Sequence, residues 1–273
     1  MKKILIFTLL LGGLVVGFYI YFHAYARVTT TTNETFITST EIPGPFDGSR
    51  IVQISDVLVR QESCLAVLEN VVASVNNLEP EIIFFTGNLF LPTGLQYQHE
   101  VAEILGNLNA DLIKIAVLGY DDLAHENRTI ETLTNAGFRV LNNESQQVFN
   151  QSPLGINIIG AHPLNDRATT ELLLAGQTLN DRANILLASV PTFATTALDF
   201  PVVAQFSGHC LATQDISDRG AACFQFYHGT YQFADRLTVH VSSGVARFQT
   251  RQNLLRRPTI DSFLLISQHE SEE

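Results

Sequence analysis

From residue 51 onward, short runs of β-branched and aromatic residues alternate with stretches in which apolar residues recur every three or four positions. Ile51-Val52-Gln53-Ile54 reads as a strand. It is followed by Leu65, Leu68, Val72 and Val75, whose spacing marks one buried helix face between about residues 62 and 78, closed by Asn76, Asn77 and Glu79-Pro80. Ile82-Ile83-Phe84-Phe85 is the next strand, which completes a βαβ unit. A second unit follows: a helix near 99–108, a strand at 113–118, a helix near 125–136 stopped by Gly137, and a strand at 138–141. Further strands are expected at 156–159, 185–188, 202–206, 237–241 and 260–266, with no obvious helices between the last of them. The second half therefore reads as richer in β-structure, and no repeat or linker divides the domain.

The amino terminus has a different pattern. After Lys2 and Lys3, residues 4–22 carry no charge and are almost wholly apolar, and roughly 19 residues at about 1.5 Å each approach the thickness of a bilayer's hydrocarbon core. Residues 1–27 are therefore expected to form a single membrane anchor. Ala24-Tyr25-Ala26 resembles a cleavage site, so a removed signal peptide is the alternative, although the apolar stretch exceeds the usual signal-peptide core. The two lysines ahead of the span place the tail in the cytoplasm and the rest of the chain outside, in a cell membrane protein of single-pass topology. Residues 28–44, opening on Thr29-Thr30-Thr31-Thr32-Asn33, are expected to be a stalk, 45–268 the outer domain and 269–273 a tail.

Charge narrows the partners. The chain carries 16 Lys and Arg against 27 Asp and Glu, a net charge of −11, and Lys2, Lys3 and Arg27 all lie in the anchor region. Such a field repels nucleic acid, which is not expected as a partner. The 3 cysteines, Cys64, Cys210 and Cys223, are too few for a disulfide-stapled scaffold and too scattered for a zinc ribbon. Cys210 and Cys223 are the candidates for a disulfide if the domain lies outside the membrane. Asn33, Asn127 and Asn143 open triplets that match the glycosylation acceptor pattern.

In open α/β sheets, chemistry collects at the carboxyl ends of strands, so the residues after each predicted strand are the candidates. They are Ile54-Ser55-Asp56-Val57-Leu58, Phe85-Thr86-Gly87-Asn88-Leu89, Leu118-Gly119-Tyr120-Asp121-Asp122, Leu187-Ala188-Ser189-Val190-Pro191 and Ser207-Gly208-His209-Cys210-Leu211. In order and approximate spacing, this series resembles the calcineurin-like metallophosphoesterases, in particular their membrane-anchored bacterial branch. The flanking segments Val140-Leu141-Asn142-Asn143-Glu144, Val241-Ser242-Ser243-Gly244-Val245 and Arg256-Arg257-Pro258 extend the resemblance over roughly residues 45–268. It implies an α/β fold, a four-layer α/β/β/α sandwich, preceded here by one transmembrane helix.

The family places Asp-x-His, Gly-Asp, Gly-Asn-His-Asp/Glu, a lone His and Gly-His-x-His at these strand ends to hold a divalent metal pair, Mn, Fe or Zn. This chain keeps Asp56 and His209, and departs at Leu58, Asn88, Tyr120, Ser189 and Leu211. Asp121 occupies the position of the family's proton-donating His. A divalent ion needs about four to six oxygen or nitrogen donors, and leucine supplies none. The vestigial metal set is thus Asp56, Asn88 and His209, with no cofactor expected. The replacements also suit a domain that folds without metal, because clustered carboxylates are costly once no cation neutralises them.

The expectation is a membrane-anchored, extracytoplasmic, catalytically inactive member that serves as a binding module for a phosphorylated small molecule or a protein partner. The alternatives are a weakly active metal-dependent phosphohydrolase, with a site rebuilt from His162, Asp121 and Asp122, and an interaction protein with no pocket function. Arg247, Arg251, Arg256 and Arg257 form the one dense basic cluster of the acidic domain and are the candidate anion-binding rim, the alternative being a solvated loop.

Overall fold

The computed structural model describes residues 7, 10–19, 30–210, 223, 225–234, 236–246 and 257–268. Among them, two six-stranded sheets face each other. The first contains β1 (Thr31–Ser39), β2 (Arg50–Ile54), β3 (Ile82–Phe85), β4 (Ile113–Ala116), β5 (Arg139–Val140) and β12 (Thr259–Ser267), in the order β1-β12-β2-β3-β4-β5. The second contains β6 (Glu144–Phe149), β7 (Gly155–Gly160), β8 (Asn184–Leu187), β9 (Val202–Ser207), β10 (Gly229–Phe233) and β11 (Leu237–Val241), in the order β10-β11-β9-β8-β7-β6. Strands β2 to β5 are parallel, as are β7 to β9, and β12 runs antiparallel to β2 but parallel to β1.

Alternation along each strand divides the side chains between layers. Ile51, Ile82 and Phe84 point between the sheets, where they meet Ile158, Ile185, Leu187, Phe206 and Phe263. Val52, Ile54, Ile83 and Phe85 point outward, under α1 (Ser63–Asn76), α2 (Gln98–Gly106) and α3 (Glu126–Asn135). On the other side, Ile159, Leu186 and Ala188 pack with Leu173 and Leu174 of α4 (Arg167–Gln177) and Ala194 and Ala197 of α5 (Ala194–Ala197). The expected α/β/β/α layering is present. Phe206 stacks edge-on against both Phe84 and Phe263, with ring centroids 5.1 and 4.8 Å apart, and each such fully buried ring contributes about 1.5–3 kcal/mol.

Polar residues interrupt this interior beneath the strand ends. Gln53 Nε2 donates to Thr86 Oγ1 and to the Ser207 carbonyl at 2.8 and 2.9 Å, tying β2 and β3 to β9. Across the same interior, His240 of β11 lies 3.3 Å from Asp261 of β12, whose carboxylate also accepts from Ser242 Oγ and Asn33 Nδ2. Burial works to raise the Asp261 carboxyl, but His240, Ser242 and Asn33 outweigh it and hold it below the usual range.

The expected stalk needs correction. The segment read as a stalk contains β1, which pairs with β12 over nine residues from Thr31↔Thr259 to Ser39↔Ser267, so the sheet begins at Thr31. A helix, α4, lies between β7 and β8 where none was evident; its N-cap, Asp166, accepts from the Thr169 amide at 2.8 Å. Asn33 of the first acceptor triplet is exposed on β1, and its Nδ2 donates to Asp261. Of the expected membrane span, residue 7 and residues 10–19 are described; they are helical, and no helix among the described residues is long and apolar enough to cross a membrane.

Candidate functional site

The carboxyl ends of β2, β3, β4, β8 and β9 converge, and four residues on these loops adopt left-handed backbone: Asp56 at φ 53°, Leu58 at 47°, Asn88 at 61° and His209 at 67°. Such conformations cost of order 1 kcal/mol or more outside glycine, least for Asn, Asp and His, so Leu58 is the most strained of the four. Glycines let the loops touch. A Cβ on Gly87 would collide with the Gly119 backbone, on Gly119 with the Asn88 side chain, and on Gly208 with Ser55 and Asp56.

Asp56 sits at the centre, 1% exposed, and both its oxygens are occupied. Asn88 Nδ2 donates to Oδ1 at 2.7 Å, Ser55 Oγ donates to Oδ2 at 2.7 Å, and the His209 backbone N–H reaches both at 3.2 and 3.0 Å. Burial raises the Asp56 carboxyl above the ordinary range, opposed by the Asn88 and Ser55 hydrogen bonds. The Asn88 amide orientation follows from its two neighbours: its nitrogen faces the Asp56 acceptor, and its oxygen accepts from the Asp121 N–H at 2.9 Å.

A second buried carboxylate ties the loops from below. Asp122 accepts from the backbone N–H groups of Asn88, Leu89 and Gly119 at 2.7, 2.8 and 2.8 Å. Burial nonetheless pushes its carboxyl up to about 6. Toward solvent, Tyr120 is 56% exposed and tilts over the His209 ring, with centroids 6.4 Å apart.

No protein-family model matches the chain. It is 28% identical over 253 residues to a protein described as the uncharacterized metallophosphoesterase YkuE of Bacillus subtilis (strain 168), covering 86% of this chain and 85% of that protein. The chain is a metallophosphoesterase homologue. It also matches UDP-2,3-diacylglucosamine pyrophosphatase LpxG of Chlamydia muridarum at 35% identity over 77 residues, 28% of this chain and 23% of that protein. Among solved structures, a 5'-nucleotidase precursor from Thermus thermophilus aligns with a TM-score of 0.47 at 12% identity, over 79% of this chain and 54% of that one.

Metallophosphoesterases work with two metal ions, and the described residues of this homologue do not fit such a pair. Among the described residues, no group of three or more His, Cys, Asp or Glu side chains could hold a metal ion. Asp56 and Asn88, the residues expected at ligand positions, spend their donors and acceptors on each other, on Ser55 and on the neighbouring backbone. Leu58 is buried against Ala246 and Leu91. Ser189 is fully buried with no partner for its hydroxyl among the described residues, while its carbonyl accepts from Gly208.

Asp56, Asn88 and His209, expected as a vestigial metal set, lie together as a hydrogen-bonded cluster that His209 joins through its backbone N–H. The substitute ligands are spent elsewhere: Asp122 on three backbone amides, and His162, whose Nδ1 accepts from the Leu164 N–H. The Asp121 side chain is exposed. Arg257 is exposed, whereas Leu211, Arg247, Arg251 and Arg256 lie outside the described residues. Ser55 and the loop-tying role of Asp122 were missed. Ser55 has no counterpart in the motif, and the only signal for Asp122 was its place at the end of the Gly-Tyr-Asp-Asp run.

Proposed function

We propose that this metallophosphoesterase homologue is a non-catalytic binding module, anchored in the cell membrane by its N-terminal apolar segment with the folded domain outside the cytoplasm. The observation that carries the inactive reading is the 2.7 Å hydrogen bond from Asn88 to Asp56. A neutral amide donor takes up the buried carboxylate oxygen in the place where the family would put a cation, and Asn88 lacks the charge to bridge two ions. Without metals there is no activated hydroxide and no charge clamp on a transferring phosphoryl group, on which this chemistry depends. The ligand class suggested by the likeness to phosphoesterases is a phosphorylated small molecule, with a protein partner as the other class.

Two features support the topology. Leu10, Leu11, Leu14, Val15, Val16, Phe18 and Tyr19 are all more than half exposed, an apolar surface that the folded domain does not cover. Cys210 and Cys223 form a disulfide, which suits an oxidising compartment.

The deciding experiment measures thermal unfolding and hydrolysis of a chromogenic phosphodiester by the purified chain. Chelator is expected to leave the melting temperature unchanged, and added manganese or zinc to produce no turnover. A stoichiometric bound transition metal, with chelator-sensitive hydrolysis lost in His209→Ala, overturns the reading.

A further inference from the structure

The direction of β1 determines where the N-terminal segment meets the domain. Thr31 lies opposite Thr259 of β12, and β12 runs antiparallel to β2 with Asp261 opposite Gln53, which brings Thr259 level with Ser55. Two strand spacings, about 10 Å, therefore separate Thr31 from the residue next to Asp56. The backbone there is continuous with the site: the Thr31 N–H donates to the Pro258 carbonyl, and the Val245 and Ala246 N–H groups donate to the carbonyls of Ser55 and Asp56. The chain thus enters the domain at the edge that carries Asp56, Asn88, Tyr120 and His209, not at the opposite edge where β2, β3 and β4 begin.

Tether length turns this into an orientation. Eight residues, 23–30, separate the apolar segment from Thr31, and fully extended they reach at most about 29 Å. A domain of about 240 residues has a radius of gyration of about 18 Å, so the tether is shorter than the domain is wide. On an anchored chain the site edge is held nearest the bilayer. That edge displays Tyr120, an aromatic of the kind that settles at headgroup level, and the exposed Arg257, whose guanidinium matches phosphate. Outside the anchor region 13 Lys and Arg stand against 27 Asp and Glu, so the domain as a whole is repelled by an anionic surface, and Arg257 is the cation that this edge, which also exposes Asp121, sets against a headgroup phosphate.

We propose that the site-bearing edge of the domain docks on the bilayer and takes anionic phospholipid headgroups. The proposal rests on the anchor reading above and deepens it by drawing the phosphate-bearing ligand from the membrane plane. The test reconstitutes the full chain in nanodiscs that contain phosphatidylglycerol and a lipid with a nitroxide on its headgroup. A fluorophore is attached at Tyr120→Cys or at Asp111→Cys, the latter exposed and just ahead of β4 at the opposite edge, each in a Cys64→Ala background and without reductant. The label at 120 is expected to be quenched several-fold more than the label at 111, with the ratio falling when phosphatidylcholine replaces phosphatidylglycerol and in Arg257→Glu. Equal quenching at the two positions in incorporated protein overturns the orientation. A ratio unchanged by lipid charge overturns the headgroup partner. Protein recovered entirely in the lipid-free fraction removes the anchor itself, and the docking surface with it.

Discussion

Asn88 and Asp56 form a pair whose sign is set by one atom. Replacing the amide nitrogen of Asn88 by oxygen, in Asn88→Asp, faces two carboxylates at hydrogen-bond distance inside a site that is 1% exposed at both residues. Like charges in such a place drive proton uptake or unfolding. The variant is expected to lose about 3 kcal/mol at pH 8 and to recover much of it at pH 5, where one carboxyl takes up a proton. Denaturant titrations at the two pH values check this; equal stability of variant and wild type at pH 8 would show that the Asn88 donor does not stabilise Asp56. Asp122 gives a second pH signature. Its carboxyl is held at about 6 against an ordinary 3.8, so the folded state binds the proton more tightly than the unfolded state does. Its contribution is fully present below pH 3.8 and is lost as pH rises to 6, a change of about 3 kcal/mol; Asp56, raised in the same direction, adds to it, and Asp261, held low, opposes it. The stability difference between wild type and Asp122→Asn is expected to move by about 2 kcal/mol between pH 4 and 6.5, in disfavour of the wild type, and a flat difference would rule the shift out.

Among the elements, those with two faces in the core were readable, whereas the edge strands β1, β6 and β10 were not. β2 and β3 lie between helices and a second sheet, so their unbroken apolar runs signalled burial, and the helix between them showed a regular apolar stripe. β1 and β6 each bury a single residue fully, Ile37 and Val148, and their other positions are polar or exposed, so neither displays the alternation from which a strand is read. For the same reason the strand-end positions of the site were visible, but not its bonding: Asn88 and Asp122 are 34 residues apart, and which amide each acid meets depends on how the loops fold together. The single buried anchor of β1 makes a sharp test. Ile37→Ala should cost about 2–4 kcal/mol, because Ile37 is 1% exposed within the layer between the sheets, and urea unfolding measures it. A cost under about 0.5 kcal/mol, the size expected at an exposed site, would mean that β1 is only loosely attached.

For the whole molecule, the disulfide couples site and stability. Cys210 directly follows His209, and its bond to Cys223 closes a loop of 13 residues next to the cluster, which constrains the unfolded chain by about 3 kcal/mol. Reductant should therefore lower the melting temperature by several degrees, as followed by circular dichroism with and without a thiol. An unchanged melting temperature would indicate that the bond adds nothing to the fold.

The parallel pairing of β1 with β12 also constrains how the molecule is made. These strands contact each other across 228 residues of sequence, and among the described strands β1 sits at the edge of its sheet with β12 as its one neighbour. The first strand to leave the ribosome therefore has no hydrogen-bonding partner until the last strand has been synthesised. Contacts this distant in sequence form slowly, and an unpaired edge is open to association with other chains in the meantime. A chain that crosses a membrane during synthesis would hold β1 beside the bilayer, waiting for its own carboxyl terminus to arrive.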